Sequence, residues 1–247
     1  MSVWLDSQGR LFNDKPSVHL LALQGGRQCV VIDDALANPE GLRQWASHQT
    51  FGPPTGYPYP GLVCDVPADI SERLSDFFAQ HVRKRLGARR TLSLAARMSL
   101  ITTPPEELAP IQWLCHRDRL VHDASDILFA ACVLYLFSDE SLGGTSFYVP
   151  RNSSASTETL VADTQALDAH ALGARYGLRA GYMNGSNAYF ERVAQVGPAW
   201  NRLIFYDGGL FHSADVGEPA RMVANPLQGR LTLNGFITCR KSAGGMG

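Results

Sequence analysis

The chain has 247 residues, of which 45% are hydrophobic, so it is long and apolar enough to form one large domain or two small ones with a sizeable core. Its net charge of −1 produces no basic field, so nucleic acid is not expected as a partner. No run approaches the roughly 18 apolar residues that a transmembrane helix needs, and no membrane partner is predicted. The five cysteines form no CxxC pair, which favours free thiols in the reducing cytoplasm over a disulfide framework.

The first 90 residues are predicted to mix strands and helices as a lead-in to the rest of the chain. Residues 29–32 (CVVI) have the apolar pattern of a buried strand. Asn38 is then the expected N-cap of a short helix with Pro39 at its first position, and the helix is predicted to continue to Trp45. This order of a strand followed by a helix makes the N-terminal part an α/β segment.

A second helix is predicted after the loop formed by residues 51–60, which are rich in proline and glycine. Asp69 is its expected N-cap, with Glu72 three residues later as in a capping box. One face of this helix is apolar at helical spacing, which predicts packing against a core. The apolar residues are Ile70, Leu74, Phe77, Phe78 and Val82.

From residue 91 the pattern changes to strands. Five β-rich runs are separated by glycine, proline and polar clusters, and they cover residues 91–102, 128–137, 144–149, 202–206 and 230–238. In the last run Arg230, Thr232 and Asn234 share one side, which requires water or a lumen there. Residues 151–200 begin polar, are predicted to turn helical around 167–176, and are interpreted as an excursion out of the sheet.

The predicted fold class is therefore α+β and mainly β. An α/β segment followed by a long β segment fits a jelly roll, that is, a cupin-like double-stranded β-helix backed by N-terminal helices. We expect one domain over residues 1–247, with a lead-in at 1–90 and a core at 91–240. The insertion at 151–200 lies within that core.

Three polar residues have the spacing of a metal site. His116 and Asp118 are two residues apart, and in an extended segment such side chains point the same way, about 6.5–7 Å apart along the chain. His212 follows the strand predicted at 202–206 and a turn at 207–209. Two imidazoles and one carboxylate leave three coordination positions open, which is the arrangement that non-haem Fe(II) oxygenases use. The sequence therefore predicts His116, Asp118 and His212 as metal ligands.

A structural alternative stays open for the first two of these residues. A His-x-Asp triplet alone is common, and it also occurs as a hydrogen-bonded pair at a surface. His19 and the adjacent His122-Asp123 have no comparable partners in the sequence. We interpret those residues as structural.

The order of the motifs between residues 91 and 240 resembles the catalytic core of the Fe(II)/2-oxoglutarate-dependent dioxygenases, nearest to their prolyl-4-hydroxylase-like branch. Five segments carry the resemblance: 113–118 (WLCHRD), 131–136 (ACVLYL), 143–147 (GGTSF), 202–206 (RLIFY) with His212 after it, and 229–234 (GRLTLN). Residues 30–46 are also similar to the lead-in of such proteins.

The resemblance implies an enzyme that binds Fe(II) and 2-oxoglutarate and hydroxylates or otherwise oxidises a small-molecule or peptide substrate. It implies that His116, Asp118 and His212 are the catalytic metal ligands. It also implies that Tyr135 and the arginine opening the last strand, Arg230, bind the distal carboxylate of 2-oxoglutarate. Arginine suits this role because its rigid guanidinium supplies two parallel donors.

Two arginines compete for that role. The resembled branch places its basic residue close after the distal histidine, which favours Arg221, nine residues beyond His212, over Arg230, which is 18 beyond it. Arg221, however, is soon followed by Asn225-Pro226, a turn signal. A strand holds a side chain more firmly than a loop does, so context favours Arg230.

Two other functions stay open beside the dioxygenase. The fold could be a binding module that has lost turnover, or a cupin-like metal isomerase or hydrolase with another metal. A hydrolase would not need the pair of Arg230 and Tyr135, so that pair favours the dioxygenase. Phe211 and Trp113 next to the predicted ligands either line a substrate cavity or pack in a core.

Overall fold

The computed structural model describes residues 2–118 and 125–242. Strands dominate these residues: β1 Ser17–Ala22, β2 Gln28–Asp33, β3 Gly61–Asp65, β4 Ala88–Ile101, β5 Ile127–Tyr135, β6 Thr145–Pro150, β7 Phe190–Val196, β8 Arg202–Asp207, β9 Phe211–Ala214 and β10 Leu231–Lys241. The helices are α1 Pro39–Ser47, α2 Ala68–His81, α3 Ser154–Ala166 and α4 Ala169–Tyr176. The mainly β prediction is confirmed. No helix in the described ranges is long and apolar enough to cross a membrane.

The strands form two antiparallel sheets. Seven strands lie in the order β1-β2-β8-β5-β10-β4-β3, and three lie in the order β7-β6-β9. Strands β1, β2 and β3 come from the first 90 residues, and they pair with β8 and β4 of the later part. The predicted lead-in at 1–90 and the predicted core at 91–240 therefore both contribute strands to the larger sheet.

The larger sheet has a different set of neighbours on each face. One face packs against α1 and α2, and the predicted apolar stripe of α2 is buried there. Leu231 and Leu233 of β10 contribute to this face. The opposite face meets the smaller sheet through an apolar cluster that includes Tyr135, Phe147 and Tyr206. Because side chains alternate along a strand, Thr232 and Asn234 point to this second face, between the sheets.

The two N-terminal helices begin in different ways. Asn38 caps α1 as predicted, since its side-chain oxygen accepts a hydrogen bond of 3.0 Å from the backbone N–H of Gly41. The predicted cap of α2 is wrong. That helix begins at Ala68, after Pro67 and without a side-chain cap, and Asp69 lies inside its first turn. A carboxylate in the first turn still interacts favourably with the helix dipole.

Residues 151–200 hold more regular structure than their sequence predicts. Helix α3 forms from the polar stretch because Ser153 caps it and Leu160 packs against the outer face of the smaller sheet. Helix α4 matches the helix predicted around 167–176. Strand β7 belongs to the smaller sheet, so the excursion out of the sheets ends before Phe190. The predicted boundary at residue 200 is therefore too late.

Candidate metal centre

His116, Asp118 and His212 meet beside the last strand of the smaller sheet. His116 and His212 of β9 form an isolated antiparallel bridge, in which each backbone N–H donates to the other's carbonyl at 2.9 Å. The backbone N–H of Asp118 donates to the carbonyl of Gly208, also at 2.9 Å, in the turn between β8 and β9. Backbone pairing thus brings His212 next to His116 and Asp118, which lie almost 100 residues earlier in the sequence.

The ligand atoms of the three side chains converge. One donor atom from each residue lies within 4.8 Å of the other two. Nε2 of His116 is 3.6 Å from Oδ1 of Asp118, and Nε2 of His212 is 3.4 Å from Oδ2 of the same carboxylate. Two imidazole nitrogens and one carboxylate on one side of an ion suit Fe(II) and related divalent metals. The donor set therefore fits a divalent metal ion.

His212 is held in the protonation state that a metal ligand needs. Its side chain is buried, and Nδ1 is 2.9 Å from the carbonyl oxygen of Leu210, so Nδ1 carries the proton and Nε2 presents its lone pair. Burial lowers the pKa of His212 to about 4, although the charge of Asp118 acts in the opposite direction. The imidazole is therefore neutral near neutral pH, which is the form that binds metals.

Asp118 is held as a carboxylate. Burial alone would raise its pKa, but three interactions outweigh burial, so the pKa lies below its usual value. They are the charge that His212 gains at low pH, the hydrogen bond from His116 and the charge of Arg97. Gly208 makes room for this side chain. A Cβ at Gly208 would lie 3.1 Å from Cβ and 3.2 Å from Oδ2 of Asp118, which is tight contact.

Arg230 is buried at the start of β10, with 3% of its surface exposed. Its Nε donates to the carbonyl oxygen of Gly143 at 3.0 Å, and its Nη2 donates to that of Gly144 at 2.8 Å. It forms no ion pair with any carboxylate among the residues that the structure describes. A buried cation without a counter-charge is costly, so this position suits an anionic ligand.

The two glycines that anchor Arg230 are required by close packing. Gly143 has φ +77°, which favours glycine, and a Cβ there would lie 1.4 Å from the backbone oxygen of Asp215. A Cβ at Gly144 would lie 1.9 Å from the backbone oxygen of Val196. The Gly-Gly pair therefore lets the backbone approach closely enough to orient the guanidinium.

Tyr135 lies next to Arg230, whose Cζ is 5.9 Å from the centre of the phenol ring. Its hydroxyl is hydrogen-bonded to Oγ1 of Thr145 at 2.7 Å, and burial raises its pKa above the usual value. The phenol is therefore protonated. Because the Thr145 hydroxyl can donate this bond, Tyr135 can turn its own proton toward a carboxylate.

The remaining candidates lie elsewhere. Arg221 is exposed and paired with Asp139 and Ser141, away from the cluster of ligands. His19 is exposed on β1, beside Ser17 and Asp33. His122 and Asp123 lie outside the described residues. Phe211 packs in an apolar cluster on the outer side of the smaller sheet, and Trp113 packs with Leu108 and with Leu172 of α4. Both residues are therefore part of apolar cores.

Arg97 and Tyr59 are polar neighbours of the site that the sequence did not single out. Arg97 projects from β4 on the inner face, and its charge helps to lower the pKa of Asp118. The Tyr59 hydroxyl is buried near Ser99 and Thr232. The alternation of β4, where Met98 and Leu100 face the helices, signals an inward Arg97. Tyr59 lies in the Pro/Gly loop, where no periodicity gives a signal.

Comparison with known sequences identifies the family. Residues 14–237 match the profile of a family of unknown function, DUF6445. The chain belongs to the DUF6445 family. No curated protein matches this DUF6445 chain by sequence.

Solved structures show a distant likeness to the DUF6445 chain. HygX from Streptomyces hygroscopicus, solved with nickel and 2-oxoglutarate, has a TM-score of 0.45 and 11% identity, over 86% of this chain and 82% of its own. SnoN, the non-haem α-ketoglutarate-dependent epimerase from nogalamycin biosynthesis, has a TM-score of 0.42 and 11% identity, over 88% and 82%. An N-substituted L-amino acid dioxygenase from Burkholderia ambifaria has 0.34 and 10%, over 85% and 81%. At such values the likeness assigns neither a cofactor nor a reaction.

Proposed function

We propose that this chain is an Fe(II)- and 2-oxoglutarate-dependent oxygenase, built on a double-stranded β-helix formed by its two facing sheets. The observation that carries the proposal is the convergence of two imidazoles and one carboxylate within 4.8 Å of one another. A surface His–Asp pair needs no third ligand, whereas here a buried, neutral histidine from another strand completes the set. The substrate is a small molecule or a peptide that is oxidised, and the prolyl-4-hydroxylase-like branch is the nearest relative we infer.

In this proposal His116, Asp118 and His212 hold the metal and leave one side of it open. Arg230 binds the distal carboxylate of 2-oxoglutarate, and Tyr135 adds a hydrogen bond to it. A bound Fe(II) with 2-oxoglutarate would let O₂ oxidise the substrate, while 2-oxoglutarate is oxidatively decarboxylated to succinate. The apolar residues between the sheets, such as Phe147 and Tyr206, limit the access of water to the reacting groups.

The test is an anaerobic titration of the purified protein with Fe(II), with and without 2-oxoglutarate. We expect one Fe(II) per chain and a visible charge-transfer band that appears only when 2-oxoglutarate is added, because a chelating keto acid needs an open facial site. His116→Ala, Asp118→Ala and His212→Ala should each abolish binding. His170→Ala is the matched control, since this exposed histidine of α4 lies outside the ligand cluster.

The outcomes separate the competing functions. A folded Asp118→Ala protein that keeps its Fe(II) would rule out the proposed site. Metal binding without the 2-oxoglutarate band would favour a cupin-like isomerase or hydrolase. Both ligands bound, but no succinate formed in air with any substrate tried, would favour a binding module.

A further inference from the structure

The inner face of the larger sheet carries a patch of polar side chains with unpaired hydrogen-bonding atoms. It is formed by Arg97 of β4, Thr232 of β10 and Tyr59 of the preceding loop. In the described part of the chain, six buried side-chain polar atoms lack a hydrogen bond, and three of them belong to this patch: Nε of Arg97, Oγ1 of Thr232 and the hydroxyl of Tyr59. The Tyr59 hydroxyl lies near those of Ser99 and Thr232, which act on its pKa, so Nε of Arg97 is the unpaired atom that points most clearly to a ligand.

Arg97 is the charged member of the patch and is held rigidly. Its guanidinium contacts two rings, with its Cζ 3.9 Å from the ring centre of Tyr57 and 4.4 Å from that of Phe236. It makes no ion pair with a carboxylate within residues 2–118 and 125–242. The two rings restrict the guanidinium, and the N–H groups on its edge match the two oxygens of a carboxylate.

Arg97 and Arg230 occupy different positions on this face. Arg97 pairs in register with Asn234 of β10, four residues beyond Arg230, which corresponds to about 13 Å along the strand. The charge of Arg97 acts on Asp118, whereas that of Arg230 acts on Tyr135 and Tyr182. Arg97 is thus the arginine on the side of the metal ligands.

Two carboxylates act on the charge of Arg97, namely Asp118 and Asp65. Asp65, which is opposite Arg97 on β3, is exposed and forms no ion pair with it, so Asp118 is the carboxylate on the inner side. Two neutral imidazoles and the Asp118 carboxylate leave a divalent ion with one net positive charge, which the chelating carboxylate of 2-oxoglutarate neutralises. The distal carboxylate pairs with Arg230. Because a bound metal would offset the charge of Asp118, the half-buried Arg97 would gain from a further anion on the inner side.

We propose that Arg97 binds a carboxylate of the substrate, so that the substrate is an organic acid oriented by this arginine over the metal. The inference rests on the proposed function. Tyr57, which stacks on Arg97, also lines an open cavity of about 590 Å³ together with Pro58, Pro110 and Leu167. Tyr57 is thus the residue that joins Arg97 to this cavity, which we propose holds the apolar body of the acid.

The test measures binding of phenylacetate, with phenylacetamide as its neutral counterpart, by calorimetry. The protein is loaded with Ni(II), a metal that keeps the complex inactive in air, and with 2-oxoglutarate. We expect phenylacetate to bind the loaded wild type saturably and phenylacetamide at least tenfold more weakly. Arg97→Gln should weaken phenylacetate binding at least tenfold and leave 2-oxoglutarate affinity within about twofold. Arg89→Gln, which alters an exposed arginine of the same strand, is the matched control and should change neither.

Three results would overturn the inference: no saturable phenylacetate binding by wild type, equal binding by Arg97→Gln, or a loss of 2-oxoglutarate affinity in Arg97→Gln as large as in Arg230→Gln. The last would show that Arg97 serves the co-substrate instead. The same titration on unloaded protein separates the two proposals. Arg97-dependent binding of phenylacetate by a protein that takes up no metal would support the anion site and reject the oxygenase.

Discussion

At the scale of single residues, the most informative side chain outside the metal ligands is Arg230. Two of its N–H groups are fixed by the carbonyls of Gly143 and Gly144, and the rest of its fork is free to meet a ligand. Arg221, which the spacing from His212 favours, is exposed and already paired with Asp139. Burial and the lack of a carboxylate partner therefore favour Arg230 as the 2-oxoglutarate ligand, whereas the spacing from His212 favours Arg221.

The expected outcome is that Arg230→Ala weakens 2-oxoglutarate binding to the Ni(II)-loaded protein by about 2–5 kcal/mol, the cost of removing one partner of a buried charge pair. Arg221→Ala should change the affinity little, because an exposed ion pair contributes at most about 1 kcal/mol. Calorimetric titration of both variants with 2-oxoglutarate decides between them. Arg230→Lys adds a control for folding, since it keeps the charge but loses the fork. The opposite ranking of Arg221 and Arg230 would contradict this assignment.

At the scale of elements, α3 contacts the segment that carries the first two proposed metal ligands. Arg117 lies between these ligands, and its Nη2 donates to both carboxylate oxygens of Glu158 on α3, at 2.7 and 2.9 Å. The guanidinium also lies over the ring of Phe211, with Cζ 4.5 Å from its centre. Since neighbouring side chains of an extended segment point to opposite sides, fixing Arg117 outward directs His116 and Asp118 inward.

We therefore predict that Glu158→Ala lowers Fe(II) affinity by about two- to fivefold, because a partly exposed ion pair contributes up to about 1 kcal/mol. The variant should keep the 2-oxoglutarate-dependent band, since no ligand is lost. Glu191→Ala is the matched control, because it removes the surface pair between Glu191 of β7 and Arg151. Equal Fe(II) affinity in the Glu158 variant and wild type, measured in one anaerobic titration, would show that α3 does not position the segment.

At the scale of the whole molecule, the proposed ligands tie the two sheets together. His212 lies on β9 of the smaller sheet, Asp118 is bonded to the turn that follows β8 of the larger sheet, and Arg230 precedes β10. A ligand that binds all three favours the folded protein over the unfolded chain by mass action.

Ni(II) and 2-oxoglutarate, each at 100 times its Kd, should therefore raise the free energy of unfolding by about 2.7 kcal/mol apiece. For a domain of this size each such step corresponds to a Tm increase of about 5–10 °C. Asp118→Ala should show neither increase, while its Tm without ligands gives the baseline. Thermal unfolding followed by circular dichroism measures both, and a ligand-induced increase that survives in Asp118→Ala would place the binding elsewhere.

The sequence predicts those parts of the fold whose pattern is local. The stripe of α2 and the cap of α1 are examples, because helical spacing and a single Asn-Pro pair determine them. It does not predict α3, whose face of Thr157, Leu160 and Thr164 becomes apolar enough only against the smaller sheet. Strand β3 is missed for a similar reason, since five residues after a Pro/Gly loop become a strand only by pairing with β4.

The site divides in the same way. The sequence predicts that His116, Asp118 and His212 converge, because the first two are spaced to point the same way and the third follows a strand. Arg97 and Tyr59 require the three-dimensional structure, because their importance lies in unpaired atoms and in rings from distant segments. No local pattern reports that a hydrogen bond is missing.

Because His116 is exposed, the three proposed ligands would differ in how fast they bind and release an ion. Its side chain is 55% exposed, whereas His212 and Asp118 are held inside by backbone and side-chain bonds. The ring can rotate into solvent without opening either apolar core, so an arriving ion meets the two fixed ligands first and is closed in by His116 last. Departure follows the reverse order. Metal exchange at the proposed site would then proceed in the folded protein, and the bound ion would be set by the ions around the protein rather than by those present when the chain folded.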